Sequence, residues 1–68
     1  MTATKVRLVE LRKEKGFNQQ YVAEVLGLTR NGYASIEQGV SELSIKHLKI
    51  LTVLYGVSAD VVLGLKEF

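Results

Sequence analysis

The chain of 68 residues contains no cysteine, no proline and a single histidine, His47. Without cysteine there is no disulfide framework and no thiolate metal site, and one imidazole cannot assemble a metal cluster. Paired carboxylates beside a nucleophile are missing, as is a glycine loop that could cradle phosphate. An enzyme is therefore not expected, and neither is a cofactor. No apolar run approaches the length of about 18 residues that a membrane span needs. The opening stretch MTATKVRLVE also lacks the apolar core of a signal peptide. These absences lead to the expectation of a soluble, cytoplasmic protein in a reducing compartment. With no proline, no low-complexity stretch and no internal repeat there is no evident linker, so residues 1–68 are expected to form one domain.

What is present favours a folded domain. Hydrophobic residues make up 47% of the chain, too many for a disordered segment. The net charge of +2 permits a nucleic-acid partner without requiring one. Its distribution says more. Lys5, Arg7, Arg12, Lys13, Lys15 and Arg30 fall in the first thirty positions, against only Glu10, Glu14 and Glu24 among the acids.

Glycines punctuate the chain. Gly16, Gly27, Gly39, Gly56 and Gly64 each follow a run of helical periodicity, where a left-handed residue commonly ends a helix. Asn18, Thr29, Ser44 and Ser58 stand ahead of such runs and can accept from the free amides of a first turn. Apolar pairs flank each start: Phe17 with Val22, Leu28 with Tyr33, Leu43 with Leu48, and Val57 with Val62. That spacing is the hydrophobic staple. The pattern predicts helices over 5–15, 19–26, 30–38, 45–55 and 59–63. Their inward faces are Leu8 and Leu11 with Val6; Val22, Ala23 and Leu26; Tyr33 and Ile36; Ile45, Leu48, Leu51 and Tyr55; and Val62 with Leu63. No stretch alternates as a strand would.

Only Gly27, Leu28 and Thr29 separate the second and third helices, the short glycine-led connection of a helix-turn-helix pair. Ala23 is small enough to let the third helix cross closely. With Tyr33, Ile36 and the stem of Glu37 turned inward, Asn31, Ala34, Ser35 and Gln38 face out, and Arg30 leads. Arginine can pair bidentately with guanine, asparagine with adenine, and alanine can touch a thymine methyl. A solvated face is the competing reading, although such faces are more often rich in Glu and Lys.

The segment FNQQYVAEVLGLTRNGYASIEQG, residues 17–39, resembles the motif of the phage lambda repressor and Cro family of helix-turn-helix proteins, the XRE-like regulators. The match falls at Gln19, Ala23, Gly27, Thr29, Ile36, Glu37 and Gly39. RLVELRKEKG at 7–16 is similar to the family's first helix, and SIKHLKILTVLYGVSADVVLG at 44–64 to its last two, so the resemblance covers nearly the whole chain. It implies an all-α, five-helix lambda repressor-like domain. The implied function is sequence-specific binding to double-stranded DNA by a small Cro/C1-type transcriptional repressor. Helix 30–38 would lie in the major groove, with a homodimer on an inverted repeat. By the same resemblance Arg30, Asn31 and Ser35 read bases; Ala34 is added as a base contact on the chemistry of its methyl alone. Gln19 touches a phosphate with Asn18 placed to help, Gln38 contacts the DNA backbone, and Arg12 bridges to Glu37. That bridge is physically sensible, because a glutamate aimed at DNA would be repelled.

Three departures qualify the likeness. Gly32 lies within the third helix, where glycine costs about 1 kcal/mol relative to alanine. The loop Val40-Ser41-Glu42-Leu43 carries no cation, so fewer phosphate contacts and a shallower salt dependence are expected. The chain is also Cro-sized, so no C-terminal dimerisation or ligand-sensing domain is expected. Ile50, Val53, Leu54, Val61, Leu65 and Phe68 are apolar without evident core positions. They suggest a homodimer surface, with a tail folded back as a lid as the competitor. The Tyr21 hydroxyl can reach a phosphate, or its ring can serve as surface packing. His47 is expected to be solvated. The alternative function on the same fold is an antitoxin-like or anti-repressor module whose partner is another protein.

Overall fold

The computed structural model describes residues 2–67. Five helices follow in order: α1 (Thr2–Glu14), α2 (Gln19–Leu26), α3 (Arg30–Glu37), α4 (Ile45–Tyr55) and α5 (Ala59–Val62), with no strand among the described residues. The expected boundaries agree to within a residue except at the front, where α1 begins three residues earlier than the pattern predicted.

Local chemistry accounts for these limits. Asn18, Thr29, Ser44 and Ser58 each hold an extended backbone, and each side chain accepts from the amide three residues on. At the other ends the five glycines expected to be stops all adopt φ between 66° and 81°. Gly27 shows what this achieves. In its left-handed conformation its amide reaches back to the Ala23 and Glu24 carbonyls, and the chain leaves α2 at the angle α3 requires. A β-carbon would be strained there.

α2 and α3 form the most intimate pair; α1 lies across α3 and α5, and α4 packs on α5 and α2. Ala23, fully buried, sits in the α2 face of the tight crossing. The common core comprises Leu8, Leu11, Val22, Leu26, Tyr33, Ile36, Leu51, Tyr55 and Val62, with Phe17, Leu28, Leu43, Leu48 and Val57 packed at its margin. Every staple residue is therefore on the core side.

Three placements differ from expectation. Val6 is 50% exposed. Residues 4, 7, 8 and 11 make the inner stripe of α1, and position 6 lies about 200° round the helix from Leu8. Ile45, 72% exposed, is the first residue of α4 and overhangs the bundle. Val61 is core, at 6% exposure, because α1 crosses α5 there. Its carbonyl accepts from Arg7 Nη1 at 2.7 Å.

Candidate nucleic-acid interface

The outer face of α3 is held in place from behind. Glu37, at the end of α3, is buried, and its carboxylate takes Arg12 Nε at 2.7 Å on one oxygen. On the other it takes Arg12 Nη2 at 3.2 Å and Gln19 Nε2 at 3.0 Å. Arg12 also donates from Nη1 to the Phe17 carbonyl at 3.2 Å, so one guanidinium ties α1, the α1–α2 turn and α3 together. The expected Arg12–Glu37 bridge is present, and it includes Gln19 as well.

The electrostatics agree with this geometry. Burial alone would raise the Glu37 carboxyl, but Arg12, the nearby Tyr33 hydroxyl and Gln19 outweigh it, and its pKa lies below the ordinary carboxylate range. Arg12 is raised, chiefly by its bond to Glu37 and against the effect of burial. The Tyr33 hydroxyl is pushed up by burial and by Glu37. Tyr55 follows, to about 12, mainly through burial. All four groups thus stay in one charge state near neutral pH, which suits a brace.

In front, Arg30, Asn31 and Gln38 are exposed, and Gly32, Ala34 and Ser35 are half-buried. The Ser35 hydroxyl donates to the Asn31 carbonyl at 3.1 Å. The Arg30 guanidinium and the Asn31 amide group are committed to no partner among the described residues. Gly32 donates its amide to the Thr29 cap at 3.0 Å. Beside this face a polar recess is lined by Arg12, Asn18, Gln19, Gln20 and Arg30. It lies at the start of α2, where unpaired amides point outward and favour an anion. Asn18 caps that helix by accepting from the Tyr21 amide at 2.8 Å. The Tyr21 ring packs on Phe17 with centroids 4.7 Å apart, yet the residue remains 45% exposed.

Not every cation counted in the N-terminal half is available to a ligand. Arg7 and Arg12 each expose only 13% of their side chains. Arg7 reaches the Val61 and Lys66 carbonyls, both at 2.7 Å, and pairs with Glu10 at 3.1 Å. Lys5 donates to the Gln38 carbonyl at 3.4 Å and lies against Gly39, supporting the end of α3. Neither role carried a sequence signal, because the partners are 33 to 59 residues away. Gln20 was likewise unmarked.

Of the suggested dimer surface, Val53 is 83% and Leu65 73% exposed. Ile50 and Leu54 are half-buried against the core, and together with Val25, Lys49 and Val53 they line an apolar groove between α2 and α4. Val61 is covered within its own domain, and Phe68 lies outside the described residues. The tail backbone is pinned to α1 by Arg7, and Thr4 Oγ1 donates to the Leu63 carbonyl at 2.9 Å. His47 is half-buried, with Nδ1 3.0 Å from the Ser44 hydroxyl. No helix among the described residues is long and apolar enough to cross a membrane.

A helix-turn-helix family model matches residues 8–62. The chain is 44% identical over 57 residues to the SPbeta prophage-derived uncharacterized HTH-type transcriptional regulator YonR of Bacillus subtilis (strain 168), covering 84% of this chain and 53% of YonR. It is 40% identical over 58 residues to the HTH-type transcriptional regulator AnsR of the same organism, covering 85% of this chain and 50% of AnsR. Against the HTH-type transcriptional regulator PuuR of Escherichia coli (strain K12) it is 38% identical over 52 residues, 76% of this chain and 28% of PuuR. The chain thus spans about half the length, or less, of these relatives. No solved structure gives a significant match. On the matched segment, the capped α2–α3 pair and the lambda repressor-like helical fold, the chain belongs to the XRE-type helix-turn-helix family.

Proposed function

We propose that this domain binds double-stranded DNA sequence-specifically and acts as a transcriptional repressor, with α3 in the major groove. The observation that carries the reading is the open face of α3. Arg30 and Asn31 point outward with uncommitted side chains, on a helix braced from behind by Arg12, Glu37 and Gln19. Arg30 and Asn31 suit guanine and adenine edges respectively, Ser35 and Ala34 lie beside them, and the recess at the start of α2 suits a phosphate. Asn18, Gln19 and Gln38 are the backbone contacts in this reading, and Tyr21 is a further one at the rim.

One such unit covers half a site, so a homodimer on an inverted repeat completes the proposal. The surface that supports it is Val53 with the groove edge of Ile50 and Leu54, and Leu65 as a second exposed apolar residue. Selection from random duplexes, run alongside light scattering, tests both parts. A two-fold symmetric enriched motif and a dimeric mass are expected. A folded protein that enriches no motif would overturn the DNA reading and favour a protein partner instead.

A further inference from the structure

Serine is ordinarily ambiguous on a recognition face. Its hydroxyl carries one proton and two lone pairs, so it can meet a base edge as donor or acceptor. In α3 that ambiguity is biased toward acceptance. The Ser35 hydroxyl donates to the Asn31 carbonyl one turn earlier, at 3.1 Å, so its proton is committed to the helix's own backbone. What it can offer outward is a lone pair. Ser35 is half-buried, and Gly32, three positions earlier on the same side, has no side chain to screen it or compete with it. The Asn31 amide group, by contrast, is uncommitted and keeps both of its functions.

We infer that Ser35 is a specificity-determining residue that reads DNA as a hydrogen-bond acceptor, favouring adenine or cytosine over guanine or thymine on the strand it faces. The inference rests on the DNA-binding reading above. In the major groove, adenine N6 and cytosine N4 are amine donors, whereas guanine O6, thymine O4 and the N7 of either purine are acceptors. Facing an amine, Ser35 gains a bond and keeps the one to Asn31. Facing a carbonyl, it must rotate its proton away from Asn31 and exchange one bond for another. The preference therefore separates amine from carbonyl and leaves adenine and cytosine nearly equal.

The test uses the motif selected by the whole chain. Ser35→Ala is compared with the wild type to find the base pair whose preference depends on residue 35. The exocyclic amine of that pair is then deleted, with 2′-deoxynebularine for adenine or a 2-pyrimidinone nucleoside for cytosine. Deletion is expected to weaken wild-type binding about threefold to tenfold, the range of one neutral hydrogen bond, and to leave Ser35→Ala unaffected. Sensitivity to loss of the thymine or guanine carbonyl instead of the amine would overturn the inference. So would an unchanged motif and affinity in Ser35→Ala, with the DNA reading left standing. If the wild type enriches no motif, the DNA reading fails first and the inference falls with it.

Discussion

Replacing Arg12 by alanine removes two donors on the Glu37 carboxylate, at 2.7 and 3.2 Å, and leaves Gln19 at 3.0 Å with the nearby Tyr33 hydroxyl. The carboxylate cannot turn to water, because Glu37 is only 6% exposed inside a packed interface. Breaking a buried pair from one side costs about 3–5 kcal/mol, and the surviving Gln19 bond argues for the lower end. A domain of this size has a total stability of about 3–10 kcal/mol. Arg12→Ala should therefore lose about 3 kcal/mol and lower Tm by roughly 12–24 °C. Urea titration followed by circular dichroism reads the first quantity and a thermal scan the second. The pH dependence is the sharper test. In the wild type the Glu37 pKa is depressed. Its contribution is complete above the unfolded carboxyl value and is lost as pH falls through the lower folded value. In Arg12→Ala the largest group opposing burial is gone, leaving the Tyr33 hydroxyl and Gln19, so the folded pKa rises from its depressed value. The variant should then lose less stability than the wild type as pH falls from 7 through the carboxyl range. Replacing both partners with leucine should recover most of the loss. A loss below about 1 kcal/mol, or a pH profile parallel to the wild type, would refute the argument that this pair is a desolvated brace.

Arg30→Ala should leave the fold intact and weaken DNA binding by about 1–3 kcal/mol, with relaxed preference at one base pair, as read by gel shift on single-base variants. A uniform loss across all sequences would assign Arg30 to a phosphate. Gly32→Ala should stabilise the domain by up to about 1 kcal/mol through helix propensity. The gain is limited because the new β-carbon would sit 3.2 Å from the Thr29 hydroxyl that caps the helix. If DNA affinity falls while Tm rises, the glycine is there for close approach. Val53→Glu should yield a folded monomer by light scattering. Val53 is the cleanest probe because it is 83% exposed, whereas Ile50 and Leu54 also contribute to their own core. An unchanged dimeric mass would move the interface elsewhere.

The helices and their limits were legible in the sequence because their causes are local. A cap serine or asparagine accepts from an amide three residues on, and a glycine ends the helix within its own turn, so everything needed lies within about five positions. The inner faces of α2 and α3 were legible for the same reason, as a stripe repeats every 3.6 residues. The Arg12–Glu37 bridge spans 25 residues and came from family resemblance, not from periodicity. Only the tertiary structure decided how the helices cross, and with that the fate of the side chains between them. It carried Arg7 to carbonyls 54 and 59 residues away, drew Gln19 onto Glu37, buried Val61 beneath α1 and left Val6 outside. A cation or a valine has no preferred partner of its own along the chain; what it meets depends on which surface the crossing of two helices brings near.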